Sequence, residues 1–252
     1  MLKSKSGKYW SDGITLIDGC TPCSPGCDHC WSASLAHRFY REGEPGRESG
    51  LFTDASGRFN GDIMIHPERL QRFNTRKPRV FAIWNDLYHE AVPDDFIDDV
   101  IAITTLLPQH TFLLLSKRAA RMNEYFNNKP LFSNNVYHGL TVVNQAEADE
   151  KIPIFLQIPG KKFLSIEPCL GNIYLTEGQS RCLGDVDAVI LGCETGPGAR
   201  PMDNEWAISV VQKCKSAGVP VFVKQIQING KPNKNIDEWP EELRVRELPW
   251  GR

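Results

Sequence analysis

Short apolar segments recur along the chain, and most of them end in a polar or charged residue. They cover residues 13–19, 79–86, 110–118, 136–144, 162–168, 187–194 and 219–225. Near-continuous apolar runs of this length are typical of strands buried on both faces, as in a parallel sheet. The pattern therefore predicts a series of buried parallel strands.

Helical patterns separate several of these segments. Residues 93–107 begin with proline, have acidic residues in the first turn and then show apolar residues at helical spacing. Residues 203–218 begin with aspartate and end with glycine, which favour the two ends of a helix. A third helix is predicted over residues 27–42. Strand, helix and strand alternate about six times, which predicts an α/β fold, either an open doubly wound sheet or a full or partial barrel.

In all of these architectures the functional side chains gather at the carboxyl ends of the strands. Polar residues follow strand after strand in this sequence, whereas the strand beginnings lack that pattern. These residues are Asn85, Asp86, Ser116, Lys117, Arg118, Asn144, Glu167, Glu194, Lys224 and Gln225. Any single one is compatible with ordinary loop polarity, but the repetition indicates a site.

The rest of the chain shows no clear domain boundary. Residues 43–76 are rich in glycine and charge and are predicted to be an irregular insertion with a short strand near residues 62–66. Residues 226–252 are predicted to form a C-terminal extension that packs on the main fold. We therefore expect one domain over residues 1–252.

Charge and hydropathy exclude several classes of protein. The net charge of −2 over 252 residues argues against a uniformly basic surface for non-specific nucleic-acid binding. No apolar run approaches the roughly 20 residues that cross a bilayer, and the polar beginning lacks the apolar core of a signal peptide. The expectation is a cytoplasmic protein with no membrane partner.

Eight cysteines in such a chain do not indicate a disulfide scaffold, because the cytosol keeps thiols reduced. Four are scattered and are predicted to be small buried apolar residues: Cys169, Cys182, Cys193 and Cys214. The others are clustered in residues 20–30. Two Cys-x2-Cys pairs occur there only three residues apart, whereas a zinc ribbon separates its pairs by a dozen residues or more. A structural zinc site is therefore disfavoured, although it stays open.

A second way to divide the cluster is Cys23-x3-Cys27-x2-Cys30. Three thiolates from one loop can hold three corners of a [4Fe–4S] cluster and leave the fourth iron for a small molecule. Pro25 and Gly26 suit a loop that wraps closely around a cofactor. This spacing after a first strand resembles the signature of radical S-adenosylmethionine (SAM) enzymes.

The resemblance implies a partial (βα)6 barrel of the TIM type, a [4Fe–4S] cluster and SAM as cofactors. It implies that SAM binds the free iron through its amino and carboxylate groups. Transfer of one electron then cleaves SAM to methionine and a 5′-deoxyadenosyl radical, which abstracts hydrogen from the substrate. The electron is expected to come from a reducing partner such as flavodoxin or ferredoxin.

Further stretches resemble one branch of this superfamily, a family of uncharacterised radical-SAM-like proteins often encoded by bacteriophages, which implies the cytoplasm of a bacterial host cell. They lie at residues 19–31, 85–97, 110–122, 164–171 and 191–225. The cofactor-binding residues that the resemblance implies are Asn85, Asp86, Ser116, Arg118, Thr141 and Asn144. Asn85 and Asp86 suit the SAM ammonium, and the planar guanidinium of Arg118 suits its carboxylate.

Charged residues further round the predicted mouth are assigned to the substrate. Glu167, Glu194 and Lys224 are candidate catalytic residues, and Arg200 and Gln225 are candidate substrate-binding residues. The phage association suggests a nucleotide or DNA substrate and base hypermodification, for example isomerisation of an amino-acid-modified thymine. One alternative is a radical SAM enzyme for a small metabolite or peptide. Another is a non-catalytic iron–sulfur or zinc protein that binds nucleic acid.

Overall fold

The computed structural model describes residues 7–39, 51–127, 129, 133–175 and 183–250. The predicted features at residues 43–50, at Cys182 and at residues 251–252 lie outside this part of the chain. The helices are α1 (Trp31–Phe39), α2 (Asp94–Leu106), α3 (Ala119–Asn127), α4 (Gln145–Phe155) and α5 (Asn204–Ala217). The strands are β1 (Asp12–Thr15), β2 (Ile17–Gly19), β3 (Ile63–Ile65), β4 (Val80–Trp84), β5 (Thr111–Ser116), β6 (Val136–Thr141), β7 (Lys161–Ile166), β8 (Ala188–Gly192), β9 (Val221–Ile228) and β10 (Lys231–Asn233).

The main sheet has eight strands in the order β1-β4-β5-β6-β7-β8-β9-β10. Neighbouring strands from β1 to β9 are parallel, and β10 pairs antiparallel with β9. Because this order follows the chain, every crossover from β1 to β9 steps in the same direction, so the helices within these crossovers lie on the same face of the sheet. The sheet curls with that face outward, which confirms the predicted partial barrel and excludes a doubly wound sheet.

The first predicted strand, residues 13–19, is two strands that belong to different sheets. β1 pairs with β4 in the barrel, whereas β2 pairs antiparallel with β3 from the insertion. The backbone N–H of His66 donates a hydrogen bond to the carbonyl of Leu16, between the two strands. The prediction of one continuous strand was wrong because the apolar run continues across the change of partner.

Side chains alternate along the strands between two apolar layers. On β5, Phe112 and Leu114 pack with the outer layer, which also contains the helices, whereas Leu113 packs in an inner cluster. Two glycines make room for large inner rings. A Cβ at Gly13 would lie 2.3 Å from the Trp84 ring, and a Cβ at Gly139 would lie 2.2 Å from Phe163.

The C-terminal segment closes one end of the barrel. The indole N–H of Trp250 donates to the carbonyl of Tyr9 (2.9 Å), and its ring packs edge-to-face on Tyr137 and Phe163. Trp250 packs within the inner apolar cluster, so the carboxyl ends of the strands stay accessible for a site. None of the helices in the described ranges has the length and apolar character to cross a membrane.

Candidate active site

The cysteine loop lies after β2 and leads directly into α1. The hydroxyl of Ser24 accepts a hydrogen bond from the backbone N–H of Gly26 (3.1 Å) and caps the short 3-10 helix Pro25–Cys27. A Cβ at Gly26 would lie 2.8 Å from a methyl group of Val143, so the loop packs closely behind β6. Glycine is therefore required where the loop meets the barrel.

Four thiols line one cavity of about 150 Å³ beside this loop, those of Cys20, Cys23, Cys27 and Cys30. Cys23 is exposed, and the other three are half-buried. Within the described residues, no group of three or more His, Cys, Asp and Glu side chains is arranged to hold a metal ion. Thiolates are the usual protein ligands of iron–sulfur clusters, and four thiols lining one cavity fit that chemistry.

A cation borders the thiols. Lys117 lines the same cavity, and although burial acts against its charge, the nearby Cys27, Cys30 and Asp86 raise the pKa of Lys117 above its usual value. A hydrogen bond between Cys23 and Cys27 lowers the pKa of the Cys27 thiol and raises that of Cys23. The environment therefore favours a thiolate at Cys27, the form of cysteine that binds iron, whereas burial raises the pKa of Cys20 to about 12.

A network of charged side chains around the buried Glu194 connects the cysteine loop to the residues after β8. Glu194 contacts His29 Nδ1 (2.8 Å) and accepts from Arg200, whose Nη2 lies 2.5 Å from Oε1 and whose Nε lies 3.0 Å from Oε2. Arg200 also donates to the carbonyl of Pro25 (2.8 Å) and to Asp28 (3.3 Å). Burial alone would raise the pKa of Glu194, but the hydrogen bonds from Arg200 and His29 lower it to about 2.

Glu194, a predicted catalytic residue, and Arg200, a predicted substrate-binding residue, are thus brought together beneath the cysteine loop. Glu194 lines the large cavity described below, whereas Arg200 does not, and its donors are taken up by Glu194 and by the loop. The sequence contained no signal for this contact, because His29 and Glu194 are 165 residues apart.

The predicted cofactor residue Asn85 joins β4 to the start of α1. Its backbone is left-handed (φ 61°), a conformation that asparagine tolerates better than most residues. Its side chain accepts from the hydroxyl of Ser32 (2.5 Å) and donates to the carbonyl of Ile17 (2.5 Å). Asn85 borders the thiol-lined cavity, so it both holds α1 and faces the site.

Arg118, predicted for the SAM carboxylate, lies behind the cavity wall. Its guanidinium contacts Asp86 (3.4 Å) and Glu90 (3.1 Å) and donates to the carbonyl of Thr21 (2.8 Å). Lys117 instead lines both the thiol cavity and the large cavity. Strand alternation could have indicated this, because Leu113, Leu115 and Lys117 fall on the same inner face.

The remaining predicted cofactor residues differ in position. Thr141 is buried at the end of β6 and lines both cavities, and Ser116 lines the thiol cavity while accepting from the backbone N–H of Arg118 (2.9 Å). Asn144 accepts from the backbone N–H of Glu147 (3.0 Å) and caps α4. The Asn144 side chain is therefore occupied as a helix cap.

The large cavity, of about 390 Å³, shares a wall with the thiol cavity. Glu167 and Lys224 lie in its lining, with Lys224 Nζ 2.5 Å from Glu167 Oε1. Gln225 donates to the same oxygen (2.9 Å) and to the carbonyl of Cys193 (2.8 Å), so it supports Glu167 from behind. Tyr9 and three tryptophans also line this cavity, namely Trp10, Trp31 and Trp84. No signal in the sequence indicated that Tyr9, Trp10 and Trp31 belong to the site.

Of the scattered cysteines predicted to be buried, Cys169, Cys193 and Cys214 are buried, which confirms that part of the prediction. Burial, with the charge of Glu167, raises the pKa of Cys193 to about 12. Burial likewise raises the pKa of Cys169 to about 11, so the thiols of Cys169 and Cys193 are neutral at physiological pH.

Fold and site together define a partial βα barrel with a thiol-lined cavity and a larger cavity at the carboxyl ends of its strands. The family model described as "Protein of unknown function (DUF5131)" matches residues 8–238. The chain belongs to this family. The comparison with curated proteins finds no match.

Among solved structures, the chain is similar to a point mutant of spore photoproduct lyase, with a TM-score of 0.47 and 10% sequence identity. The alignment covers 85% of this chain and 76% of that chain.

Proposed function

We propose that the protein is a radical SAM enzyme in which Cys23, Cys27 and Cys30 hold a [4Fe–4S] cluster. The observation that supports this most directly is that these thiols line a cavity which shares a wall with a second, larger cavity at the carboxyl ends of the strands. When bound, the cluster and SAM supply reductive cleavage of SAM and hydrogen abstraction from a substrate. The chain's own residues bind these groups, orient them and shield them from water.

Lys117 and Asp86 provide the two charges that SAM requires at this end of the site. The Lys117 ammonium lies on the wall shared by both cavities and pairs with the SAM carboxylate. Asp86 borders the thiol cavity and attracts the SAM ammonium. The Thr141 hydroxyl, also on the shared wall, hydrogen-bonds to the SAM ribose.

The substrate that we propose is a nucleotide or a DNA base, with isomerisation of an amino-acid-modified thymine as the specific reaction. Glu167 and Lys224 support this proposal, because they place a carboxylate and an ammonium in the large cavity only. An amino acid attached to a base has both an ammonium and a carboxylate, which these two side chains complement. A flavodoxin or ferredoxin supplies the electron.

The experiment that tests the proposed function is anaerobic reconstitution with iron and sulfide. We expect a brown protein with about four irons per chain, and addition of dithionite and SAM should release 5′-deoxyadenosine and methionine, measured by liquid chromatography. Omission of dithionite is the control and should give neither product. A protein that loads iron but leaves SAM intact would contradict the enzymatic proposal, and one that takes up zinc in place of iron would contradict the cluster.

Replacement of Lys117 by methionine should weaken SAM binding while the cluster remains. Loss of one charge-assisted hydrogen bond costs about 1.5–3 kcal/mol, or roughly 10- to 150-fold in Kd. Anaerobic equilibrium dialysis measures the affinity, and iron analysis of the same samples measures the cluster. Lys215→Met, in the exposed last turn of α5, is the matched control. Unchanged SAM affinity in Lys117→Met would refute this role.

A further inference from the structure

The three tryptophans at the large cavity differ from those in the protein core. Trp31 is 53% exposed, and Trp10 and Trp84 are partly exposed, whereas Trp239 and Trp250 are buried. Trp84 makes edge-to-face contacts with Trp10 (6.3 Å between ring centroids) and with Trp31 (5.1 Å). Large apolar rings left accessible in a cavity indicate a ligand that covers them.

Flat rings are the ligand parts that such a wall suits best. Stacking of one nucleobase on an aromatic side chain contributes about 1–3 kcal/mol. Trp31 and Trp84 also border the thiol cavity, whereas Trp10 lines the large cavity alone. Trp10 is therefore the ring that we expect to contact the substrate and not SAM.

Several lysines lie near these three tryptophans in the large cavity, although the chain as a whole is slightly acidic. Lys8 and Lys234 are exposed and line the large cavity. Lys224 is paired with Glu167, but the ammonium groups of Lys8 and Lys234 form no ion pair with any residue in the described ranges. Two uncompensated cations beside an aromatic wall suit a phosphate group attached to a planar ring.

Glu167 adds an acceptor for the ring itself. Its Oε1 accepts hydrogen bonds from both Lys224 and Gln225, which fix the carboxylate. Its Oε2 makes no hydrogen bond within the described part of the chain and is available to a ligand N–H. Pyrimidine and purine bases present such N–H groups on their pairing edges.

We propose that the large cavity binds a single nucleotide unit, with its base against Trp10, its N–H on Glu167 and its phosphate at Lys8 and Lys234. This inference rests on the proposed function and specifies its substrate class. A cavity of about 390 Å³ holds one such unit, either as a free nucleotide or as an unpaired nucleotide of single-stranded DNA. A base within a duplex would first have to leave the stack.

The test compares thymidine 5′-monophosphate, thymidine, a short single-stranded oligonucleotide and its duplex by anaerobic calorimetry on the reconstituted protein with SAM. We expect the monophosphate to bind about tenfold more tightly than thymidine, since one charge-assisted contact is worth about that factor. The double variant Lys8→Met/Lys234→Met should abolish this difference, whereas Lys215→Met should preserve it. Binding by the oligonucleotide in place of the monophosphate would identify DNA as the source of the unit.

Trp10→Ala provides the second readout and should weaken monophosphate binding about 5- to 150-fold, as expected for loss of stacking. Trp10→Phe keeps an aromatic face and should recover part of that loss. This recovery would show that the weaker binding of Trp10→Ala comes from lost stacking and not from a folding defect. Binding of none of the nucleotides, binding of the duplex alone, or a Trp10→Ala effect larger on SAM than on nucleotide would overturn the inference. Nucleotide binding by a protein that fails to cleave SAM would instead refute the proposed function alone.

Discussion

Alanine at Cys27 is expected to abolish loading of the iron–sulfur cluster, and alanine at Cys23 or Cys30 should do the same. Each thiolate holds one corner of the proposed cluster, so removal of one leaves an iron without its protein ligand. We expect less than about one iron per chain in these variants, against about four in the wild-type protein. Iron and sulfide analysis after anaerobic reconstitution measures the loss, together with the brown absorption of the cluster.

Cys20 provides a further variant for this experiment, because its thiol lines the same cavity as the three proposed ligands. Cys20→Ala is expected to keep the cluster, since Cys20 stands outside the x3-x2 spacing. A cluster that survives Cys23→Ala and is lost in Cys20→Ala would assign the third ligand to Cys20. Cys214→Ala is the control: Cys214 is buried in α5, away from the loop, and its loss should leave the iron content unchanged.

The order of strands and helices could be predicted because it depends on local patterns. The apolar run at residues 219–225 and the aspartate and glycine at the ends of α5 are each visible within a few residues. The division between β1 and β2 could not be predicted in this way. It depends on β3, a partner about 50 residues away whose pairing leaves no mark on residues 13–19.

In the candidate site, too, some features can be predicted from neighbouring residues, whereas others depend on residues far apart in the sequence. The spacing of Cys23, Cys27 and Cys30 is local, and the structure places all three thiols along one cavity. The choice between Lys117 and Arg118 depends on which face of β5 points inward, and chemical suitability alone favoured the guanidinium. Trp10 precedes β1, Trp31 begins α1 and Trp84 ends β4. Only the folded barrel shows that these three rings meet.

Replacement of Glu194 by alanine should destabilise the protein and release the cysteine loop. The carboxylate is almost fully buried, with 4% of the side chain exposed, and it holds both Arg200 and His29. Removal of one partner from a fully buried ion pair costs about 3–5 kcal/mol. The side chains of Arg200 and His29 are 29% and 36% exposed, so water solvates them in part and we expect a smaller cost here. Urea unfolding measures this cost, and the rate of iron loss to a chelator measures the release of the loop. Glu150→Ala, on the exposed surface of α4, should change neither quantity.

The contribution of Glu194 should also depend on pH in a defined direction. Its pKa is about 2 in the folded protein, against an ordinary value of 4.5, so the unfolded chain binds a proton more readily than the folded one. The stabilisation is therefore complete above about pH 4.5 and is lost as the pH falls towards 2, with a total on the order of 3 kcal/mol. Unfolding free energies of the wild-type protein and of Glu194→Gln, which removes the titration, should differ most near pH 7 and converge in acid. A difference that stays constant over this range would show that Arg200 and His29 do not hold the carboxylate in its charged form.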